Sequence, residues 1–232
     1  MMEGMVQNRV PKNTGYMTGE QSNWKQVNYR SVFFLFFFGS FAGFLMEGIW
    51  AIIRRGQWEN HSSLIWGPFC MVYGLGAVLM YLASFPLSRK PLLVEFVGYA
   101  LLGTVAEYVS SLIQEYCVGS VSWNYSQYIL NIGGRVCLFM SLLWGAIGLA
   151  FGHLLFPKLK EILTACTGGR SKYFSIVLTI FMLANVLATS AAVLRWRERI
   201  HEDLPNNPVE AAIDEAYDNE TMESIFGNMV FL

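Results

Sequence analysis

The sequence predicts an all-α fold, a polytopic transmembrane helix bundle of about five spans. Charged residues make up only 14% of the 232 residues and hydrophobic residues make up 54%, whereas an average soluble domain carries about 25% charged residues. The shortage of charge is also local, because residues 173–194 contain no charged side chain and residues 31–53 contain only Glu47. This composition excludes a soluble enzyme, a secreted disulfide scaffold and a disordered chain.

Five segments are long and apolar enough to cross a bilayer, for which roughly 20 mostly apolar residues are needed. Each segment should be a helix, because lipid offers the backbone no hydrogen-bonding partner. The five predicted spans are residues 31–53, 63–85, 91–112, 136–156 and 173–194. They divide the chain into a polar flexible N-terminal tail (1–30), a four-span core (31–156), a loop with the fifth span (157–200) and an acidic C-terminal tail (201–232).

The C-terminal tail contains eight acidic residues and no Lys or Arg. Within it, Asn207 followed by Pro208 and Glu210 predicts the start of a short helix, with a capping side chain, a proline in the first turn and an acid near the helix dipole. We expect this helix to lie on the protein with its acidic face in solvent. The alternative is that the tail recruits a partner protein.

The distribution of Lys and Arg predicts the orientation in the membrane. With five spans, ten basic residues fall on the side of the N-terminus and six on the other side. The count favours a cytoplasmic N-terminus and an outward C-terminus. The cluster of Arg195, Arg197 and Arg199 after the fifth span argues against it, and a sixth span or a re-entrant segment would place the C-terminal tail inside.

A pattern of G-x-x-x-E followed by G-x-x-C occurs twice in the four-span core. The first copy contains Gly43, Glu47, Gly67 and Cys70, and the second contains Gly103, Glu107, Gly134 and Cys137. The order predicts a duplicated helical hairpin, with parallel repeats about an axis along the membrane normal. Interfaces between such repeats often hold the binding sites of transporters. The alternative is a coincidence among glycine-rich apolar segments.

Three charged residues should meet in one layer of the membrane. Glu47 and Glu107 each lie about 24 Å along their spans, and Arg135 opens the fourth span from the same side. An unpaired charge there costs about 3 kcal/mol or more, so we expect Arg135 to neutralise Glu107, Glu47 or both. The cluster is either a substrate or ion site or a salt bridge that only holds helices together. Glu95 and Glu115 are expected to be solvated at the interfaces.

Other features predict packing and exclude some chemistry. The pairs Gly39/Gly43 and Gly148/Gly152 allow close helix approach, within the chain or in a homo-oligomer. The aromatic loop segment with Trp123 and Tyr125 suits a membrane interface. The sequence contains no nucleotide-binding P-loop, no hydrolase motif and no metal-ligand spacing, so we expect no enzyme activity and no cofactor. The net charge of −1 offers no attraction to nucleic acid.

Several of these segments resemble the bacterial ABC-transporter permease family (CmpB-like, type IV). The resemblance rests on residues 38–47, 66–74, 106–108, 123–126 and 131–138 together with Trp144 and Gly145. Met71 and Gly133 stand where the family commonly has Pro and Asn. The resemblance implies a bacterial multi-pass membrane protein, a permease-like component that acts with a separate ATPase subunit. The alternative is a structural or regulatory membrane protein without transport activity.

Overall fold

The computed structural model describes residues 27–165 and 169–232, so most of the predicted N-terminal tail lies outside the described residues. The helices are α1 (Tyr29–Arg55), α2 (Met71–Leu87), α3 (Leu92–Val118), α4 (Leu138–Ala150), α5 (Phe156–Ala165), α6 (Gly169–Ile200), α7 (Pro208–Ala216) and α8 (Asn219–Ile225), with a π-helical turn (Phe151–Leu155) between α4 and α5. The strands are β1 (Ser120–Val121), β2 (Asn131–Ile132), β3 (Val136–Cys137) and β4 (Val230–Phe231), paired antiparallel as β1–β4 and β2–β3.

The helical membrane bundle predicted from composition is confirmed. Four helices of the described chain are long and apolar enough to cross a membrane, and α2 is a shorter apolar helix of 17 residues. The four long helices are Tyr29–Arg55, Leu92–Val118, Leu138–Leu163 and Ser171–Ile200. Together with α2 they are roughly consistent with the expected five spans.

The second span starts later than predicted, because residues 63–70 form a loop instead of the first turns of a helix. Gly67 adopts a positive φ of 95°, and Pro68 follows it, so the chain cannot continue in a right-handed helix here. The loop is anchored on α6, where the Asn185 side chain accepts a hydrogen bond from the backbone N–H of Trp66 at 3.1 Å and donates one to its carbonyl at 2.6 Å.

The fourth span is longer than predicted. It runs from α4 through the π-helical turn into α5, so that most of the predicted loop over residues 157–172 is helical. Gly148 and Gly152 lie against Tyr99 of α3 at this point: added Cβ atoms would come within 2.2 Å and 2.7 Å of its side chain. Helix α5 then buries Phe156 and Leu163 at the end of the bundle.

The two ends of the helix bundle differ in structure. The cap end consists of the α1–α2 loop (56–70), the α3–α4 loop (119–137) and the C-terminal segment (201–232), which contact one another. The turn end consists of the short α2–α3 turn (88–91) with the neighbouring ends of α5 and α6. Exposed basic side chains at the turn end are Arg89, Lys90, Lys158 and Lys172.

The acidic tail is folded onto the cap end. Helix α7 begins with Asn207, whose side chain accepts hydrogen bonds from the backbone N–H groups of Val209 and Glu210. Helix α8 buries Met222 and Phe226 in a cluster with α6, and β4 pairs with β1. The tail therefore lies on its own chain, as expected, and it uses its apolar face for intramolecular packing.

Candidate functional site

The two hairpins repeat one local geometry. The first glycine of each motif lies against an aromatic residue of the partner helix: an added Cβ at Gly43 would come within 2.2 Å of the Tyr73 side chain, and one at Gly103 within 2.4 Å of the Trp144 side chain. In the loops, Gly67 and Gly134 both have positive φ, at 95° and 69°. Cys70 and Cys137 are the residues directly before α2 and α4. The shared geometry favours duplication over coincidence.

Each motif glutamate accepts hydrogen bonds from aromatic donors. Glu47 accepts one from the hydroxyl of Tyr73. Glu107 accepts one from the hydroxyl of Tyr125 at 2.9 Å and one from the indole N–H of Trp144 at 3.0 Å. The rings of Tyr73 and Trp144 are 6.3 Å apart between centroids. The two carboxyl groups thus lie on either side of one aromatic pair that bridges the hairpins.

Arg135 does not join this pair, and the predicted pairing with Glu107 or Glu47 is wrong. Its guanidinium forms an ion pair with Glu115 and donates a hydrogen bond to the Ser111 hydroxyl at 3.0 Å. Glu115 lies two helical turns beyond Glu107 and closer to the cap end, where Arg135 is located in the α3–α4 loop. The expectation that Glu115 is merely solvated is therefore also wrong.

In the part of the chain that the structure describes, the two motif glutamates have no cationic partner. Across residues 27–165 and 169–232, neither Glu47 nor Glu107 has a basic side chain within 4.0 Å. Glu107 is only 5% exposed. Burial and the neighbouring Glu107 raise the pKa of Tyr125, so that this loop hydroxyl stays protonated and can donate to the carboxylate.

A second carboxyl group that we expected to be solvated is buried at the turn end. Glu95, in the first turn of α3, is 3% exposed, and its Oε2 lies 2.6 Å from Nε2 of His153 in the π-helical turn. Sequence spacing did not indicate this, because 12 residues at 3.6 residues per turn rotate the helix by about 120° beyond three full turns, so Glu95 and Glu107 do not share one face of a straight helix. Tyr73 and Trp144 lie in segments that carry the family resemblance, but nothing in the sequence indicated that they would contact the two glutamates.

The remaining motif residues have packing roles. Gly39 and Gly43 face Ala77 and Tyr73 of α2. Gly148 and Gly152 face Tyr99 of α3, so both glycine pairs pack against helices of the same chain. In the α3–α4 loop, the Trp123 indole donates to the Arg135 carbonyl at 2.9 Å.

Comparison with known proteins identifies the family. The family model described as putative ABC-transporter type IV matches residues 34–190. The chain belongs to this family. The match covers both hairpins and much of α6 but not the C-terminal tail. No curated protein and no solved structure matches the chain.

Family membership confirms the resemblance seen in the hairpin motifs. As a member of the ABC-transporter type IV family with several membrane-spanning helices, the chain is a multi-pass membrane protein and a membrane transport component. Glu47, Glu107 and Arg135 all lie within the matched residues.

Proposed function

We propose that the chain is the permease-like component of a transport system and acts with a separate ATPase subunit. Family membership and the membrane-spanning helices support a transport role. The sequence contains no P-loop, so ATP hydrolysis is assigned to the partner and the chain itself is not an enzyme.

The observation that carries the proposal is the pair of motif glutamates between the hairpins. Buried charges are costly in a membrane protein and commonly mark substrate or ion pathways. Glu107 is buried and Glu47 is half-buried; they come from corresponding positions of the two hairpins and are held by neutral aromatic donors. We assign them to the lining of the transport route and Arg135, paired with Glu115, to bracing the cap end.

We further propose that the protein lies in the bacterial cytoplasmic membrane with its turn end in the cytoplasm. Among the described residues, four exposed basic side chains lie at the turn end, whereas Arg54 and Arg55 are the exposed ones near the cap end, a bias that agrees with the positive-inside rule. The arginine cluster of α6, which argued against this orientation, has another role in the structure. Arg195 and Arg199 both pair with Asp214 of the folded tail.

The tail's own contacts argue against the alternative of a regulatory protein that recruits a partner through its acidic residues. Asp214 is engaged by two arginines, and Glu210 lies 3.8 Å from Arg195. The apolar residues Met222 and Phe226 are buried in the chain itself.

The test is to isolate the full-length chain from native membranes and to identify the proteins that accompany it. We expect an ATPase subunit whose hydrolysis rate, in reconstituted vesicles, falls at least tenfold with Glu47→Gln or Glu107→Gln. Glu223→Gln, at an exposed position of α8, is the control and should leave the rate unchanged. Absence of any ATPase subunit would overturn the proposed function.

A further inference from the structure

The core-facing side of α3 is polar along its whole length. The buried residues of this helix are Glu95, Tyr99, Gly103, Glu107 and Ser111, each four positions after the last. A span helix normally turns apolar or small residues toward its neighbours, whereas this face carries two carboxyl groups and two hydroxyl groups. We call these residues, with Thr104 and Glu115, the α3 polar face.

Every polar member of the α3 polar face has a partner on another element. Glu95 meets His153, and the Tyr99 hydroxyl lies 2.8 Å from that of Ser84 on α2. Thr104 donates to Ser141 of α4 at 2.7 Å. Glu107 meets Tyr125 and Trp144, and Ser111 and Glu115 meet Arg135. The partners come from α2, α4, the π-helical turn and the α3–α4 loop.

Successive polar members are separated by about 5 to 8 Å along the axis, at 1.5 Å of rise per residue. These are separations of backbone positions along the helix, and one or two water molecules between the side chains would complete a hydrogen-bonded path. The polar groups extend from the half-exposed His153 at the turn end to the half-buried Tyr125 at the cap end. Chains of Asp, Glu and His within a membrane protein are typical of proton relays.

We propose that the α3 polar face is a proton pathway in which Glu95 and Glu107 are the proton-binding groups. Glu95 exchanges protons with the turn end through His153, and Glu107 exchanges protons with the cap end through Tyr125. The hydroxyl pairs Tyr99–Ser84 and Thr104–Ser141 lie between the two carboxyl groups. This inference goes beyond the proposed function and does not depend on the ATPase partner.

The hydrogen-bond chemistry determines where each proton binds. Trp144 can only donate a hydrogen bond, whereas the Tyr125 hydroxyl can also accept one, so a proton on Oε1 of Glu107 is the arrangement that keeps both hydrogen bonds. The Tyr125 hydroxyl then accepts from the carboxyl group and turns its own hydrogen toward the loop. At the turn end, Oε2 of Glu95 and Nε2 of His153 are within hydrogen-bonding distance, at 2.6 Å, so this contact is the one through which the two groups would exchange a proton.

Other ionisable groups face these positions and influence the exchange. Glu47 and Tyr73 lie on the other side of Trp144, and the thiols of Cys70 and Cys137 are near the two tyrosines. Arg135 is paired with Glu115 beyond Ser111. Arg197 contacts Gly119 at the end of α3.

The experiment is infrared difference spectroscopy of the full-length chain in lipid, recorded between alkaline and mildly acidic pH. Protonation of a carboxylate produces a C=O stretching band that shifts in D₂O. We expect two such bands from the membrane interior, one lost in Glu95→Gln and the other in Glu107→Gln. Both should persist in Glu161→Gln, a control at an exposed position of α5.

Access from the two ends is tested with His153→Phe and Tyr125→Phe. His153→Phe should slow deuterium exchange of the Glu95 band at least fivefold and leave the Glu107 band unchanged. Tyr125→Phe should slow exchange of the Glu107 band and leave the Glu95 band unchanged. Unchanged melting temperatures will show that the variants are folded. If Glu107→Gln is unstable, Glu107→Asp serves in its place and should show a carboxyl band. The proposal is overturned if no pH-dependent carboxyl band appears, or if the bands survive both glutamine substitutions.

Discussion

Arg135 is held at the cap end by two contacts with α3, the ion pair with Glu115 and the hydrogen bond to Ser111. The side chains of the ion pair are 18% and 33% exposed, so water reaches both and weakens their attraction. Arg135 therefore neutralises Glu115, which is partly exposed, whereas Glu107 accepts hydrogen bonds from the uncharged side chains of Tyr125 and Trp144. This separates the bracing pair from the candidate transport site.

We predict that Arg135→Ala lowers the free energy of unfolding by about 1 kcal/mol, as expected for a partly exposed ion pair with one further hydrogen bond. A double-mutant cycle measured by chemical denaturation in detergent should show coupling between Arg135 and Glu115. The matched cycle with Glu107→Gln should be additive. Coupling to Glu107 without coupling to Glu115 would contradict the pairing seen in the structure.

At the scale of elements, the hairpins depend on glycines that bring two helices into contact. Gly43 lies directly against Tyr73, whose hydroxyl donates to Glu47, so the close approach of α1 and α2 also positions the site. Gly76 on α2 is different, because an added Cβ would meet Trp144 at an ordinary distance of 3.6 Å.

We predict that Gly43→Ala destabilises the protein by about 1–3 kcal/mol, since the added methyl group overpacks the α1–α2 contact. Gly76→Ala is the control and should be neutral or stabilising by up to about 1 kcal/mol, because alanine favours the helix over glycine. Thermal unfolding in detergent measures both. Equal melting temperatures for the two variants would mean that the close approach is absent.

The contact between α7 and α6 is electrostatic and should depend on pH. Arg195 and then Arg199 lower the pKa of Asp214 below its ordinary value. A depressed folded-state pKa contributes stability that is present above the unfolded value of about 3.9 and is lost as the pH falls through the folded value.

We therefore predict that the tail stays docked through mildly acidic pH and loosens only below about pH 4. Protease cleavage of residues 201–232, followed over pH with an acid-stable protease, measures this. Asp214→Asn should loosen the tail already at neutral pH and remove its share of the pH dependence, whereas the exposed Glu215→Asn should not. If the tail of the Asp214→Asn variant resisted the protease as well as the wild-type tail does, Asp214 would not be the group that anchors it.

At the scale of the whole molecule, the tail ties both hairpins to α6 at the cap end. Asn60 donates to the Ser224 carbonyl and Trp66 to the Tyr217 hydroxyl, while β4 pairs with β1 and the Leu232 N–H bonds the Gly119 carbonyl. The cap end is therefore one folded unit built from segments that are remote in sequence.

We predict that removal of residues 201–232 costs about 3 kcal/mol or more, the value of burying the Met222 and Phe226 side chains. The melting temperature should fall, and protease cleavage should appear in the 56–70 and 119–137 loops, while the bundle stays helical by circular dichroism. Unchanged loop protection after truncation would show that the tail does not hold the cap end together.

The class of the protein, its helices and the repeated hairpin follow from the amino-acid sequence alone. Composition suffices for the class, because a chain this poor in charge cannot cover its surface in water. The helical state follows from the lipid environment. The spacing of Gly43 and Glu47 against Gly103 and Glu107 was enough to indicate the repeat and to locate two carboxyl groups of the candidate site.

The contacts of the charged side chains became known from the three-dimensional arrangement of the helices and loops. Arg135 pairs with Glu115 and not with Glu107, and Glu95 is buried beside His153. Helix α2 starts later than predicted because the loop before it binds α6. The tail likewise proved to be part of the fold. Each outcome depends on the rotation of a helix and on loops that join residues far apart in the chain. A local pattern of residues places a charge on a helix face, but distances between helices determine which group neutralises it.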